Sequence, residues 1–88
     1  MKLFVVLFYY PDDDGGGYIE EYHSVHDVLE NAREIVKKSI EEEKEKYGES
    51  PYDGVNGNPY IAIYETTFGT QKKAIVCSTM KDSTFGPV

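Results

Sequence analysis

Tryptophan is absent from this 88-residue chain, and cysteine occurs once, at Cys77. A single thiol excludes an intramolecular disulfide framework, which a small secreted domain often needs, so a reducing cytoplasm is the expected compartment. Bases are also scarce: nine Lys and Arg stand against sixteen Asp and Glu, for a formal net charge of −7. Direct contact with nucleic-acid phosphates needs a basic face, and the only candidate cluster is Lys72-Lys73, so binding to DNA or RNA is not expected. No apolar run is long enough to span a bilayer. The longest, Leu3 to Tyr10, is too short, and no small-residue cleavage site follows it, so neither a membrane nor an export role is expected.

What the chain does contain is enough for one domain. Apolar residues make up 40 % of it, too many for a disordered chain, and eight tyrosines give much of the aromatic surface a hydroxyl. At 10.0 kDa there is no material for a second core, so residues 1–80 are read as a single α+β domain and 81–88 as a tail that frays. Charge is uneven along it: −5 over residues 1–27, −3 over 28–58 and +1 over 59–88. The acid is concentrated in the first half.

Residues Leu3 to Tyr10 read LFVVLFYY, apolar in both alternating phases, as a central strand covered on its two sides requires. Pro11 and the Asp-Gly run then reverse the chain, which returns as a mixed-polarity edge strand over Tyr18–His23. A helix follows, with Asp27 as its cap and Glu30 completing a capping box. Val28, Leu29, Ala32, Ile35, Val36 and Ile40 recur at helical spacing, and Gly48 suits the left-handed stop. The segment 49–58 is irregular. Tyr60–Thr67 and Gln71–Thr79 then alternate as strands around Phe68-Gly69-Thr70.

The order β-β-α-β-β predicts a two-layer sandwich: a mostly antiparallel four-stranded sheet in the order 2-1-3-4 with one long helix on one face. One helix leaves the other face open. Either Phe4/Val6/Phe8/Tyr10 or Leu3/Val5/Leu7/Tyr9 would line it with Tyr60, Ala62 and Tyr64, so a homodimer or a partner protein is expected there.

The stretch YYPDDDGGGYIEEY, Tyr9 to Tyr22, is the chain's most distinctive. As a calcium loop with Gly15 as the invariant glycine, it places Tyr10 where the first carboxylate belongs, and neither flank is helical. As a phosphate cradle it fails on charge, and its glycines precede a strand rather than a helix. What remains is an acidic hairpin tip. His23 and His26 form an H-x-x-H pair at the strand-helix junction, but side chains there are expected to diverge, so they are only weak metal candidates and no cofactor is implied. Cys77 reads as a small buried thiol, and nothing points to nucleophilic catalysis. The acids Glu41, Glu42, Glu43 and Glu45 read first as a solvated helix face with Glu34–Lys38 and Glu42–Lys46 pairs. A sharper reading joins them to Asp12, Asp13, Asp14, Glu20 and Glu21 as one negative surface, with Tyr18 and Tyr22 beside it, able to imitate a phosphate backbone.

Small size, strong acidity, a tyrosine-rich sheet and no catalytic motif resemble the loose class of phage-encoded inhibitors of host defence or host enzymes, of the anti-CRISPR and anti-restriction kind. VHDVLENA, Val25 to Ala32, resembles a strand followed by a capped helix that is common in short phage proteins. The resemblance implies a non-enzymatic inhibitor in the host cytoplasm that blocks a protein with a basic groove. It transfers no individual functional residue. From a different class, the alternative is a small-ligand or metal-binding module at a homodimer cleft lined by Tyr18, Tyr22, His23 and the Asp12–Asp14 loop.

Overall fold

In a computed structural model of the chain, the described residues are 2–48, 52–54, 57–67 and 73–79. Five elements follow one another: β1 (Lys2–Pro11), β2 (Tyr18–His26), α1 (Leu29–Tyr47), β3 (Tyr60–Thr67) and β4 (Lys73–Ser78). The four strands form one sheet in the order β2-β1-β3-β4, every neighbouring pair antiparallel. The fold is therefore the α+β two-layer sandwich that the element order predicts. The Phe68–Thr70 loop and the 81–88 tail lie outside the described residues.

β1 is central because both its phases are apolar, and packing assigns each phase to a face. Val6 and Phe8 join Ile61, Ile63 and Cys77 beneath Ala32 and Val36 of α1, with Phe4, Tyr10, Leu29, Ile35 and Ile40 packed around them. Each aliphatic side chain removed from water there contributes roughly 1.5–3 kcal/mol, and this cluster is the main source of stability. The opposite phase, Val5, Leu7 and Tyr9, meets Tyr60, Ala62 and Tyr64 on the other face. Among the described residues no helix covers that second face.

Two element boundaries and one side-chain pair differ from expectation. β2 runs three residues past His23, because a bulge opposite Val6/Leu7 lets the strand absorb His23 and continue pairing as far as Phe4–His26. The helix start is also different: Val28, in extended conformation, is the residue before α1, no side chain caps the first turn, and the Asp27 cap is not made. The last correction is in the surface pairs of α1, where Glu34 reaches Lys37 at 3.9 Å rather than Lys38. The helix does stop as expected. Gly48 takes φ 82° and its N–H donates to the Lys44 carbonyl at 2.8 Å, a left-handed end that costs a side-chain-bearing residue more than glycine.

Candidate functional site: acidic and tyrosine-bearing surfaces of the first hairpin

The hairpin tip is built by its own backbone. The Asp12 N–H donates to the Gly17 carbonyl at 3.0 Å, and the Asp14 N–H donates to Asp12 Oδ1 at 3.0 Å, an Asx turn. Gly16 and Gly17 take φ 74° and 78°, where side chains are strained, which accounts for the glycines in the run. Asp13 and Asp14 are exposed and Asp12 is half-buried, so three carboxylates crown a tight turn.

Beyond the tip, strand alternation sends the acids of β2 to opposite faces. Glu21 stands opposite Phe8 on the helix side, and Glu20 stands opposite Tyr9 on the open side. On the helix side two phenols, Tyr10 and Tyr52, feel acids of β2 and α1. Burial raises the Tyr10 hydroxyl above its ordinary value, and the charges of Glu21 and Glu43 raise it further. Burial likewise pushes Tyr52 up to about 12, aided by Glu43, Tyr10 and Glu42. Phe8 anchors the pair: its ring lies 6.2 Å from Tyr10 and packs edge-on to Tyr52 at 5.7 Å. Charge from β2 and from α1 thus reaches Tyr10, through Glu21 and Glu43, and charge from α1 reaches Tyr52, through Glu43 and Glu42. Glu41 and Glu45 are exposed along the same helix.

The open side carries a different device. The Tyr9 hydroxyl donates to Glu20 Oε2 at 2.7 Å and lies 2.8 Å from the Tyr64 hydroxyl. Desolvation first, and these partners second, hold the Tyr9 phenol far above its ordinary range. Its ring stacks on Tyr60 at 4.6 Å, Tyr18 meets Tyr60 edge-on at 5.0 Å, and the Tyr18 hydroxyl donates to the Asn58 carbonyl at 3.1 Å. Beneath these rings Leu7, Tyr9 and Ala62 are buried. Among the described residues, the large apolar side chains exposed on this face are on its β2 side, where Tyr22 and Val25 are 61 % and 46 % exposed.

His23, Ser24 and His26 form a third cluster. Ser24 Oγ lies 3.0 Å from His23 Nδ1 and 2.8 Å from His26 Nε2, so the imidazoles converge on one hydroxyl instead of diverging. The bulge turns His23 to the helix side, where its ring stacks on Phe8 at 5.1 Å. Ser24 is the residue that sequence reasoning missed, and the H-S-x-H spacing was its signal. Two imidazoles and a hydroxyl are too few donors for a closed site, and among the described residues no group of three or more His, Cys, Asp or Glu is placed to hold a metal ion. Within one copy His23 points to the helix side, while Tyr18 and Tyr22 stand on the open side.

Cys77 is buried at 2 % exposure in the core, as its sequence context suggests. Its neighbour Arg33 is held above the ordinary guanidinium range by Glu30 first, at 3.3 Å, and by the Cys77 side chain second. Among the described residues no helix is long and apolar enough to cross a membrane. The chain matches no protein-family model, no curated protein and no solved structure.

Proposed function

We propose that this chain is a non-enzymatic binding protein that blocks a partner protein by presenting an acidic surface to a basic groove. The observation that carries the reading is that Glu21 of β2 lies opposite Phe8, whose ring packs on Tyr10 and Tyr52, and that both phenols are raised by acids, Tyr10 by Glu21 and Glu43 and Tyr52 by Glu43 and Glu42. Carboxylates carried on a sheet and a helix present negative charge to a partner much as a phosphate backbone does. Tyrosine adds rigid contact area, since it has few torsions to freeze on docking. The net charge of −7 favours rapid encounter with a basic partner and disfavours nucleic acid itself. A phage-encoded inhibitor acting in the host cytoplasm on a defence or nucleic-acid-processing protein fits this chemistry.

The test begins with affinity capture from the native host by the unmodified chain and by a Glu21→Lys/Glu42→Lys/Glu43→Lys variant, with the partner identified by mass spectrometry. Binding of the purified partner is then measured from about 0.05 to about 0.5 M salt, a range over which the screening length shrinks several-fold. Affinity that falls steeply with salt and is lost in the variant supports the acidic surface. Salt-insensitive binding that the variant retains rules it out and leaves docking through the tyrosine-bearing open face.

A further inference from the structure

The histidine cluster of β2 takes no part in the acidic surface, and its donor chemistry is of a different kind. His26 stands opposite Phe4 and Ser24 opposite Val6, both on the helix side of the sheet, and the bulged residue His23 lies against Phe8 on the same side. These are the only two histidines of the chain. Ser24 Oγ is 3.0 Å from His23 Nδ1 and 2.8 Å from His26 Nε2, so nitrogens of both imidazoles close on one point.

A serine hydroxyl has one hydrogen and gives it to one acceptor. With both rings neutral, that hydrogen meets one lone pair, and the second ring must turn an N–H inward to be satisfied. A divalent ion instead accepts the lone pairs of both nitrogens at once. An ion at the point that Ser24 Oγ holds needs metal–nitrogen bonds of about 2.0–2.1 Å, so each ring closes by roughly 1 Å or less as the hydroxyl swings aside. Access and order are both provided. His23 is exposed and leaves a path from solvent, while Ser24 and His26 are half-buried on a paired strand and the His23 ring is stacked on Phe8 at 5.1 Å. Part of the ordering that chelation costs is therefore already made in the folded chain.

We propose that His23 Nδ1 and His26 Nε2 chelate one divalent transition-metal ion, with water in its remaining positions. Imidazole nitrogens select against the hard cations Ca²⁺ and Mg²⁺, and among the ions that accept them Cu²⁺ binds ahead of Ni²⁺ and Zn²⁺. The site is open, since two imidazoles cannot close a four-coordinate shell.

Titration of the full chain with Cu²⁺, followed by calorimetry and by electron spin-echo modulation, which counts the imidazoles on the ion, tests this. The expected result is one equivalent bound in the micromolar range with two imidazoles on it, retained in about a hundredfold excess of Mg²⁺. His23→Phe keeps a ring on Phe8 but removes the nitrogen, and His26→Gln removes the other imidazole. Each is expected to weaken Cu²⁺ binding at least about tenfold and to lower the imidazole count to one. Fewer than two imidazoles on Cu²⁺ in the unmodified chain, displacement of the ion by Mg²⁺, or unchanged affinity in His23→Phe overturns the site. His26 is half-buried, so its replacement risks the fold, whereas His23→Phe and the imidazole count of the unmodified chain do not depend on that variant.

Discussion

Tyr9 and Glu20 face each other across β1 and β2, and the phenol donates to the carboxylate at 2.7 Å on the side of the sheet opposite α1. One phenolic hydrogen serves one acceptor, and the carboxylate is the stronger. The Tyr64 hydroxyl, 2.8 Å away, then directs its own hydrogen at the Tyr9 oxygen. A polar chain of this kind lets tyrosine rings roof the sheet face opposite α1 while their hydroxyls stay satisfied.

Replacing Tyr9 by Phe keeps the stack on Tyr60 but removes both hydroxyl contacts. Chemical denaturation is expected to show a loss of about 1–3 kcal/mol, the cost of stranding partly buried polar partners. Tyr64→Phe, which leaves the bond to Glu20 in place, is expected to cost less.

The raised phenols predict alkaline lability. Tyr9, Tyr10, Tyr52 and Tyr60 all hold their protons more tightly in the folded chain than the ordinary value of 10.0 allows. The folded state then binds more protons than the unfolded one above that value. Their contribution is complete below about pH 10 and is lost as pH rises further, between 10 and about 12 for Tyr52. Unfolding midpoints measured across this range are expected to be flat to about pH 9 and to fall beyond it. A midpoint that holds steady to pH 12 contradicts the assignment.

Glu43 is the acid that Tyr10 and Tyr52 share. In Glu43→Gln the phenolate absorbance of both tyrosines is expected to appear at lower pH than in the parent, because one opposing charge is gone. Ultraviolet titration of the variant in Tyr10→Phe and Tyr52→Phe backgrounds separates the two. This checks the geometry of the acidic surface without a partner in hand.

Two substitutions at α1 separate core from cap. Val36 is fully buried, and Val36→Ala is expected to cost roughly 1–3 kcal/mol through lost contacts and a residual cavity. Asp27→Ala is expected to change stability by less than about 0.5 kcal/mol, since no capping bond is there to lose, against ~1 kcal/mol for a working cap. Equilibrium denaturation of both variants measures the contrast.

The capping box was a sound local pattern that tertiary structure displaced. Pairing of β2 with β1 extends to His26 opposite Phe4, which holds the chain extended until Val28 and carries Asp27 out of capping position. The histidines show the same influence. Read as an alternating strand, His23 and Ser24 would sit on opposite faces, and only the bulge brings His23 and His26 together on one hydroxyl. The acids were legible as acids, but not by face: Glu20 and Glu21 are sequence neighbours that the pleat sends to opposite sides, where one meets Tyr9 and the other meets the helix.

Local chemistry was enough for the elements and their order. Turn residues at Pro11–Gly17, helical spacing from Leu29 to Ile40, Gly48 and the alternation of Tyr60–Thr67 each act over a few residues, and right-handed crossover leaves the 2-1-3-4 sheet as the natural arrangement. The sides of that sheet were beyond local chemistry. LFVVLFYY is apolar in both phases, so nothing within β1 says whether Val6 and Phe8 or Leu7 and Tyr9 should meet the helix. That choice is made by what comes from elsewhere: Ala32 and Val36 fit over the first set, while Glu20, Tyr60 and Tyr64 supply the second with hydroxyl and ring partners.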